Sequence, residues 1–260
     1  MDTKDLKNVR YEVADGVATI TMNRPESLNP LSHGPGSMKG ELIDCLERGD
    51  SDPEVRCNVV TGAGKAFSSG GAFDSYIPGD NDVLGWREFL ANDTADNKRI
   101  RGVQKPVIGA INGICYGGAM IMVLHFDLLV ASRDARFGFI ETRFGAAGIE
   151  MLPFWVGPQW AKFLAISGEI IDAEKAEQIG LAIAALDPDV FPERVTDLAR
   201  RVAAMPAEAV MLNRYLINGA MELMGWSAQA HFAPTVNAAM SSIGSAATMG
   251  DGRRPIELLK

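Results

Sequence analysis

Residues 106–145 decide how the rest of the chain is organised, and they read PVIGAINGICYGGAMIMVLHFDLLVASRDARFGFIETRFG. The stretch predicts a buried strand over 106–111, a turn at 112–113 and an apolar helix that opens at 117–118. A second buried strand is predicted over 127–131, followed by a loop. Alternation of buried strands with helices is typical of an α/β core.

The glycine pair Gly117-Gly118 and the later Glu141 give this stretch its chemistry. Two glycines at a helix start leave backbone N–H groups unobstructed in the positive field of the helix N-terminus. Such donors suit an oxygen that becomes negative during a reaction. Residues near Glu141 are apolar or aromatic, namely Phe137, Phe139, Ile140 and Phe144. Burial among them raises the pKa of a carboxyl, which favours a catalytic acid or base over a surface acid flanking a helix.

Composition excludes several classes of function. The chain has 260 residues and a formal net charge of −8, which argues against nucleic acid as a ligand because phosphate binding needs a basic surface. No apolar segment reaches the length of a membrane span, since His125 and Asp127 interrupt the longest apolar run, 117–130. We find no secretory signal and expect a cytoplasmic protein without membrane association.

The cysteines and histidines show no pattern of a redox or metal site. Three cysteines are odd in number and lack C-x-x-C spacing, so they are interpreted as buried free thiols: Cys45, Cys57 and Cys115. No pair of histidines has the spacing of metal ligands, and we predict no metal. Of the three, His125 is interpreted as a hydrogen-bonded core residue, while His33 lies in a loop where a functional role stays open.

Strand and helix patterns alternate as far as about residue 185, and helices alone follow. A hairpin is predicted over 9–22, a strand covered on both faces over 56–61, and a long glycine-rich irregular loop over 62–81. Helices are predicted over 38–48, 83–101, 156–167, 172–180, 191–204, 207–224 and 228–243. We therefore expect a core at 1–190 that holds the active site, and a helical C-terminal region at 191–260.

Several stretches together resemble the crotonase (enoyl-CoA hydratase/isomerase) superfamily. They are GVATITMNRPESLNPLS, VVTGAGKAFSSGGAF, KPVIGAINGICYGGAM, DLLVASRDARFGFIETRFG and ISGEIIDAEKAEQIGLA. They occur in the family's order over roughly residues 10–185. The resemblance implies an α/β fold, a crotonase (ClpP-like) spiral of ββα units with a helical C-terminal trimerisation region. It also implies a homotrimer or a hexamer, an acyl-CoA substrate, and no cofactor beyond the coenzyme A of that substrate.

The resemblance also assigns the site residue by residue. Gly71 and Gly118 match the two N–H donors of the family's oxyanion hole, each typically worth about 2.7 to 4 kcal/mol, and Glu141 matches a catalytic acid/base. Contacts to the adenine and pantetheine, largely through backbone, fall on Ser27, Leu28, Ala66, Ser68, Ser69 and Gly70. Further substrate-binding candidates are Ala72, Tyr76, Tyr116, Gly117 and Ile121.

One departure from the family pattern bears on the reaction. Hydratases of the family hold a water between two glutamates, and here the first of these positions is Ile121, while the second is Glu141. An isoleucine neither accepts a proton nor orients water. Members with the second glutamate alone resemble enoyl-CoA isomerases, in which one carboxylate moves a proton between C2 and C4, or hydroxycinnamoyl-CoA hydratase-lyases, whose tyrosine corresponds to Tyr76.

Glu150 is a possible second acid facing Glu141. The alternative interpretation places it in the first turn of the next helix, where the helix dipole favours a carboxylate. The predicted function is isomerisation or hydration of an unsaturated acyl-CoA with Glu141 as the single acid/base. The alternatives are a hydratase-lyase or C–C hydrolase acting on a bulky acyl-CoA, and a non-catalytic acyl-CoA-binding protein.

Overall fold

The computed structural model describes residues 6–72 and 82–244, and within them strands and helices alternate. The strands, in chain order, are β1 (Val9–Ala14), β2 (Val17–Met22), β3 (Cys57–Gly62), β4 (Ala66–Ser68), β5 (Val107–Ile111), β6 (Ile114–Tyr116), β7 (Leu128–Ser132), β8 (Arg136–Gly138), β9 (Ile170–Asp172) and β10 (Ala184–Leu186). The helices are α1 (Met38–Ser51), α2 (Val83–Gly102), α3 (Gly118–Val123), α4 (Pro153–Ser167), α5 (Ala173–Gln178), α6 (Phe191–Ala203), α7 (Ala207–Leu223) and α8 (Trp226–Gly244).

The strands form two sheets that the chain visits in turn. The larger sheet has the order β1-β2-β3-β5-β7-β10, and the smaller has the order β4-β6-β8-β9. Apart from the antiparallel edge pairs β1–β2 and β8–β9, all pairings are parallel. From β3 to α4, each of three turns adds a strand to the larger sheet, a strand to the smaller sheet, and then a helix. After α4, β9 joins the smaller sheet, and β10 joins the larger sheet after α5. This is the expected spiral of ββα units.

A corner of the spiral lies at Asn112-Gly113, between β5 and β6, as the sequence predicts. The Asn112 side chain accepts the Gly62 N–H at 3.1 Å and donates to the Gly64 carbonyl at 2.9 Å. A Cβ at Gly113 would overlap the backbone of Lys65. The corner therefore fixes the turn after β5 against the turn after β3.

The sequence predictions hold for the long elements and fail for the short ones. The hairpin, the helices and the longer strands lie where they are expected, within a few residues at their ends. The predicted irregular loop contains β4, and β6, β8, β9 and β10 were not predicted. Each of these strands is only three residues long, too short to show the period-two alternation by which strands are recognised.

Apolar side chains cover both faces of the larger sheet. Val60 of β3 belongs to the main core, which α1, α2 and α3 cover. Cys57 and Val59 of the same strand face a second cluster beneath α6, with Phe191 and Val195. The prediction that this strand is covered on both faces is confirmed. Helix α6 begins after residue 190 and yet completes the second cluster of the core. The expected boundary between a core and a C-terminal region at residue 190 therefore stays a prediction.

Helices α2 and α8 pack against each other, and α7, which precedes α8 in the chain, lies at the surface. Arg214 of α7 ties these helices to the sheet, since it donates to Asp127 at 2.6 Å and to the Arg101 carbonyl at 3.0 Å. Arg101 lies over the Trp226 ring at 4.1 Å. Within the described ranges, none of the helices is both long enough and apolar enough to cross a bilayer.

Candidate active site

The site lies at the carboxyl ends of three neighbouring parallel strands. Gly71 comes three residues after β4, Gly118 two residues after β6, and Glu141 three residues after β8. Because β4, β6 and β8 are adjacent in the smaller sheet, residues two or three positions beyond their carboxyl ends lie close together. Ligands of α/β sheets bind at such carboxyl ends.

The loop at 28–31 is paired with the segment that carries the first glycine. The Leu31 N–H donates to the Gly70 carbonyl at 2.7 Å, and the Ala72 N–H donates to the Leu31 carbonyl at 2.8 Å. The Ser69 backbone N–H donates to the Leu28 carbonyl at 2.9 Å. The structure thus brings together two segments to which the family resemblance assigns contacts with coenzyme A.

Asn29 holds these two segments in place, and sequence reasoning missed it. This residue is fully buried and has a left-handed backbone, with φ 53°. Its side chain donates to the carbonyls of Ala63, Ala66 and Phe67 at 2.9–3.2 Å and accepts the Arg24 N–H at 2.8 Å. The sequence signal that could have identified Asn29 was an asparagine in a proline-rich loop, because asparagine tolerates the left-handed conformation.

Buried polar contacts also shape the segment before Gly71. Ser68 is fully buried, and its Oγ accepts the Gly70 N–H at 3.2 Å. Gly70 has φ 95°, and a Cβ there would lie 2.6 Å from the Tyr116 carbonyl oxygen. Ser68 therefore holds the loop with its side chain, and as a fully buried residue it presents no surface to a ligand.

Gly71 and Gly118 lie side by side, and their N–H groups take no part in the backbone pairing. A Cβ built on Gly118 would be 3.4 Å from the Gly71 nitrogen. Among the described residues neither N–H donates to a backbone carbonyl, whereas Gly117 donates to Gly138 at 2.9 Å. Gly118 opens α3, so its N–H is one of the donors without a partner within the helix, and it hydrogen-bonds instead to the Glu141 carboxyl. Two adjacent donors outside the backbone pairing are the arrangement that holds a developing oxyanion.

The carboxyl group of Glu141 packs directly on Gly117. Gly117 has φ 54°, and a Cβ there would overlap Glu141 Oε1. Oε2 is inaccessible to solvent and has no hydrogen-bond partner among the described residues, although the side chain as a whole is only partly buried. The acid thus accepts the Gly118 N–H and keeps one oxygen unpaired.

Burial raises the pKa of Glu141 from 4.5 to about 7. Loss of solvation is the main cause, and the backbone N–H groups of Glu141 and Gly118 act in the opposite direction. A carboxyl with a pKa near neutrality both takes and returns protons readily at physiological pH. The apolar setting that the sequence indicates is seen at Phe137 and Phe139, which are buried.

Ile121 lies one helical turn beyond Gly118 and lines a cavity of about 320 Å³ between α2, α3 and α8. Glu150 lines the same cavity, whereas Glu141 is not part of its wall. Burial raises the pKa of Glu150, and the Asn237 side chain hydrogen-bonds to it. The first turn of α4 begins at Pro153, so the interpretation that Glu150 lies in that turn is wrong.

The core residue His125 and the loop residue His33 differ in their surroundings. His125 is buried and its Nδ1 lies 3.1 Å from the Ile121 carbonyl oxygen, which confirms the interpretation as a hydrogen-bonded core residue. Burial lowers the pKa of His125 to about 4. The Nδ1 of His33 lies 3.7 Å from carboxylate oxygens of both Asp93 and Asp96. Tyr76 lies outside the described residues.

Comparison with known proteins identifies the class to which this fold and site belong. The family described as Enoyl-CoA hydratase/isomerase matches residues 12–236. The chain belongs to this family and has the crotonase fold, and its relatives are named as enzymes of the lyase and isomerase types.

Two relatives and one solved structure illustrate the range of the family. The chain is 31% identical over 216 residues to 1,2-epoxyphenylacetyl-CoA isomerase of Escherichia coli (strain K12), covering 80% of each chain. It is 33% identical over 210 residues to (E)-benzylidenesuccinyl-CoA hydratase of Thauera aromatica, covering 79% of this chain and 78% of the relative. An enoyl-CoA hydratase/isomerase from Xanthobacter autotrophicus Py2 superposes with a TM-score of 0.84 at 32% identity, covering 92% of this chain and 88% of that structure.

Proposed function

We propose that this enzyme isomerises the double bond of an unsaturated acyl-CoA, with Glu141 as the single acid/base. The observation that carries the proposal is the contact of the Glu141 carboxyl with Gly117, beside the N–H groups of Gly118 and Gly71, which take no part in the backbone pairing. A base and two oxyanion donors are thereby adjacent. Ile121, in place of a second acid, leaves one carboxyl to handle the proton.

The reaction follows from this arrangement. The thioester oxygen accepts hydrogen bonds from the Gly71 and Gly118 N–H groups, and the Glu141 carboxylate removes a proton from C2 of a 3-enoyl thioester. The resulting enolate has its negative charge on the oxygen that the two donors hold. Glu141 then gives the proton to C4, and the double bond moves into conjugation with the carbonyl. No water and no second acid are consumed.

Coenzyme A would be held chiefly by backbone groups of the paired loops at 28–31 and 69–72. The Ser68 hydroxyl hydrogen-bonds within the loop, and Ala66 and Ala72 are buried. These side chains are not available to a ligand, which supports recognition through the shape of the loops and the backbone groups that they expose. Ser27, Leu28 and Tyr116 are partly exposed and available to the ligand. No cofactor is needed beyond the coenzyme A of the substrate.

A second candidate is hydration or carbon–carbon cleavage of a bulkier acyl-CoA. A cavity of about 150 Å³ holds a benzene ring, so the cavity of about 320 Å³ beyond Ile121 accommodates a ring with substituents. The relatives named for phenylacetyl and benzylidenesuccinyl thioesters also favour an aromatic acyl group. Hydration would require another group to activate the water, and Glu150, a carboxyl in the cavity wall, is the candidate for that role.

The proposal extends to assembly as a homotrimer or hexamer in the cytoplasm. Helix α7 supports the assembly, because large apolar side chains on it are exposed: Met211, Leu212, Tyr215, Leu216, Ile217 and Leu223. An apolar helix surface of this kind marks a protein interface. Sedimentation of the full-length chain would give the number of subunits.

The first test incubates the enzyme in D₂O with matched 2-enoyl, 3-enoyl and cinnamoyl thioesters, followed by mass spectrometry. We expect the 3-enoyl thioester to become conjugated and to take up deuterium without gaining a water. The variant Glu141→Gln should bind the thioester and lose this exchange. Gain of one water on a 2-enoyl or cinnamoyl thioester would select the second candidate. Binding without exchange on every thioester would identify a non-catalytic acyl-CoA-binding protein.

A further inference from the structure

A buried polar network joins the loop at 30–37 to helices α1 and α2, and the proposed proton transfer does not use it. Lys39 of α1 is 1% exposed, and its Nζ lies 2.5 Å from Asp93 Oδ1 of α2. The Asn97 amide donates to the other oxygen of Asp93 at 3.0 Å. The loop contributes His33, whose Nδ1 is inaccessible to solvent. Because a buried ion pair contributes little net stability, the network calls for another explanation.

His33 lies between two carboxylates and lacks a hydrogen bond to either. Its Nδ1 is 3.7 Å from Asp93 Oδ1 and 3.7 Å from Asp96 Oδ2, and it has no hydrogen-bond partner among the described residues. An N–H···O bond is about 2.9 Å long, so the gap is about 0.8 Å. Burial lowers the pKa of His33, so the ring carries one proton at physiological pH. That proton belongs on Nδ1, because a lone pair there would face two negative groups.

Asp96 is the carboxylate better able to accept this N–H. Both oxygens of Asp93 already accept hydrogen bonds, one from Lys39 and one from Asn97. Asp96 accepts no hydrogen bond within the described ranges, and Arg99 lies 4.0 Å from its other oxygen. The edge-on packing of the His33 ring against the Phe89 ring, with centroids 5.2 Å apart, keeps the imidazole in this orientation.

The loop that carries His33 also fixes the direction of the Gly71 N–H. Leu31 donates to the Gly70 carbonyl at 2.7 Å and accepts the Ala72 N–H at 2.8 Å. A trans peptide points its C=O and N–H in opposite directions, so the bond to the Gly70 oxygen aims the Gly71 N–H away from Leu31. Only one residue separates Leu31 from His33, so a shift of the histidine is passed on to the Gly71 donor.

We propose that His33 is a positioning residue for the oxyanion site. When the thioester binds, the Nδ1–H closes onto Asp96, and the accompanying movement of the loop at 30–37 toward α2 aligns the Gly71 N–H with the thioester oxygen. Hydrogen bonds of active sites are often long in the free enzyme and shorten in the complex. The inference rests on the proposed function in taking the thioester oxygen to lie at Gly71 and Gly118. It concerns the alignment of a donor and is independent of which group moves the proton.

The kinetic test compares two replacements of His33 in the isomerisation of a 3-enoyl thioester. Asparagine keeps an N–H donor at the place of Nδ1, whereas leucine puts a methyl group there. His33→Leu should lower kcat about tenfold or more and change KM less than about threefold, because a misaligned donor costs more for the oxyanion than for the neutral carbonyl. His33→Asn should stay within about threefold of wild type in both constants. His231→Leu, at an exposed position of α8, is the matched control and should change neither.

A double-mutant cycle identifies the partner of His33. Asp96→Ala should reproduce the loss of kcat seen in His33→Leu. The double variant should lose no more than either single variant, because both changes remove the same contact. Additive losses, or wild-type kcat in Asp96→Ala, would overturn the proposal.

Infrared spectroscopy of a bound ligand separates positioning from stability. The ligand is octanoyl-CoA with an isotopic label at its thioester carbonyl, a saturated thioester without a double bond to move. Bound to wild type, its carbonyl band should shift to lower wavenumber, because hydrogen bonds from two donors weaken the C=O bond. His33→Leu, saturated with the ligand, should lose part of this shift, and His33→Asn should retain it. A merely structural role of His33 would lower the Tm of His33→Leu without moving the band.

The outcomes distinguish the inference from the proposed function. A wild-type shift that is unchanged in His33→Leu would overturn the inference and leave the proposed function intact. A wild-type shift that His33→Leu reduces, without exchange in D₂O, would support the inference and overturn the proposed reaction. No shift in the wild-type complex would place the thioester oxygen elsewhere and overturn both. If His33→Leu does not fold, Asp96→Ala takes its place in both measurements, with the same interpretation of each result.

Discussion

Glu41 and Glu141 are both withdrawn from solvent, yet their surroundings differ. Glu41, in the first turn of α1, is 1% exposed, and its carboxylate accepts the N–H groups of Lys7 at 3.1 Å and Asn8 at 2.7 Å. Glu141 packs on Gly117 with Oε2 unpaired. The first carboxylate fastens the N-terminal segment to α1, and the second keeps its hydrogen-bonding capacity for a substrate. The difference teaches that hydrogen-bond satisfaction, more than burial, separates a structural acid such as Glu41 from the acid that we propose for the reaction.

The same substitution at the two sites gives the sharpest contrast. Glu141→Gln should lower turnover by about 10²- to 10⁴-fold, because it removes the group that moves the proton. Glu41→Gln should lower the free energy of unfolding by about 1–3 kcal/mol, because an amide turns an N–H donor toward backbone N–H groups. Turnover per folded molecule should be unchanged in Glu41→Gln. Steady-state kinetics and urea denaturation of both variants measure the two effects, and loss of activity in Glu41→Gln without unfolding would invalidate the distinction.

Gly117→Ala tests whether the position of Glu141 depends on the glycine beneath it. The new Cβ would overlap Oε1, and φ 54° is unfavourable for alanine. Displacing the carboxyl should lower turnover by about 10²-fold. Gly219→Ala is the matched control, since Gly219 lies in α7 with open space at its Cβ, and it should leave activity intact. Wild-type rates in Gly117→Ala would show that the carboxyl position is not critical.

The pH dependence gives the smallest effect and links the acid to stability. If Glu141 acts as a base with a pKa of about 7, the rate should fall tenfold per pH unit below about 7 and level off above it. Its pKa in the fold is higher than the 4.5 of an ordinary glutamate, so the folded state disfavours the charged form. Its contribution to stability therefore falls as pH rises from 4.5 to 7, by at most about 3 kcal/mol.

Urea denaturation of wild type and Glu141→Gln between pH 5 and 8 follows this contribution. The variant should gain stability relative to wild type as pH rises, and the difference should be constant above about pH 7. Glu41→Gln should not reproduce this pH dependence. A difference between wild type and Glu141→Gln that is flat with pH would mean that the carboxyl is not destabilised by burial.

The sequence predicts much of the fold because its long elements carry local signals. The Asp15-Gly16 turn sets the hairpin, and Asp172 caps α5 by accepting the Lys175 N–H at 2.8 Å. The family resemblance places Gly71, Gly118 and Glu141 in one site, and the structure brings them together, although their roles stay proposals. The signals for the hairpin and for α5, in contrast, are local. Such signals lie within a few residues of the feature that they predict.

What the sequence does not predict depends on contacts between distant residues. The three-residue strands of the smaller sheet exist because neighbouring turns of the spiral pair with them, and no local period marks them. Asn29 acquires its function from carbonyl groups more than thirty residues away. Only the folded chain shows which amides are committed and which are free.

The spiral has a consequence for how this enzyme can change over evolution. One turn supplies the Gly71 donor, the next supplies both the Gly118 donor and the Ile121 side chain, and the third supplies Glu141. Each of these groups lies beyond the end of its strand and outside the strand pairing. In the proposed reaction, the two oxyanion donors can therefore be inherited unchanged while the acid or the acyl pocket is replaced. A lineage with this fold can acquire a new reaction by exchanging single side chains at fixed positions beyond the strand ends.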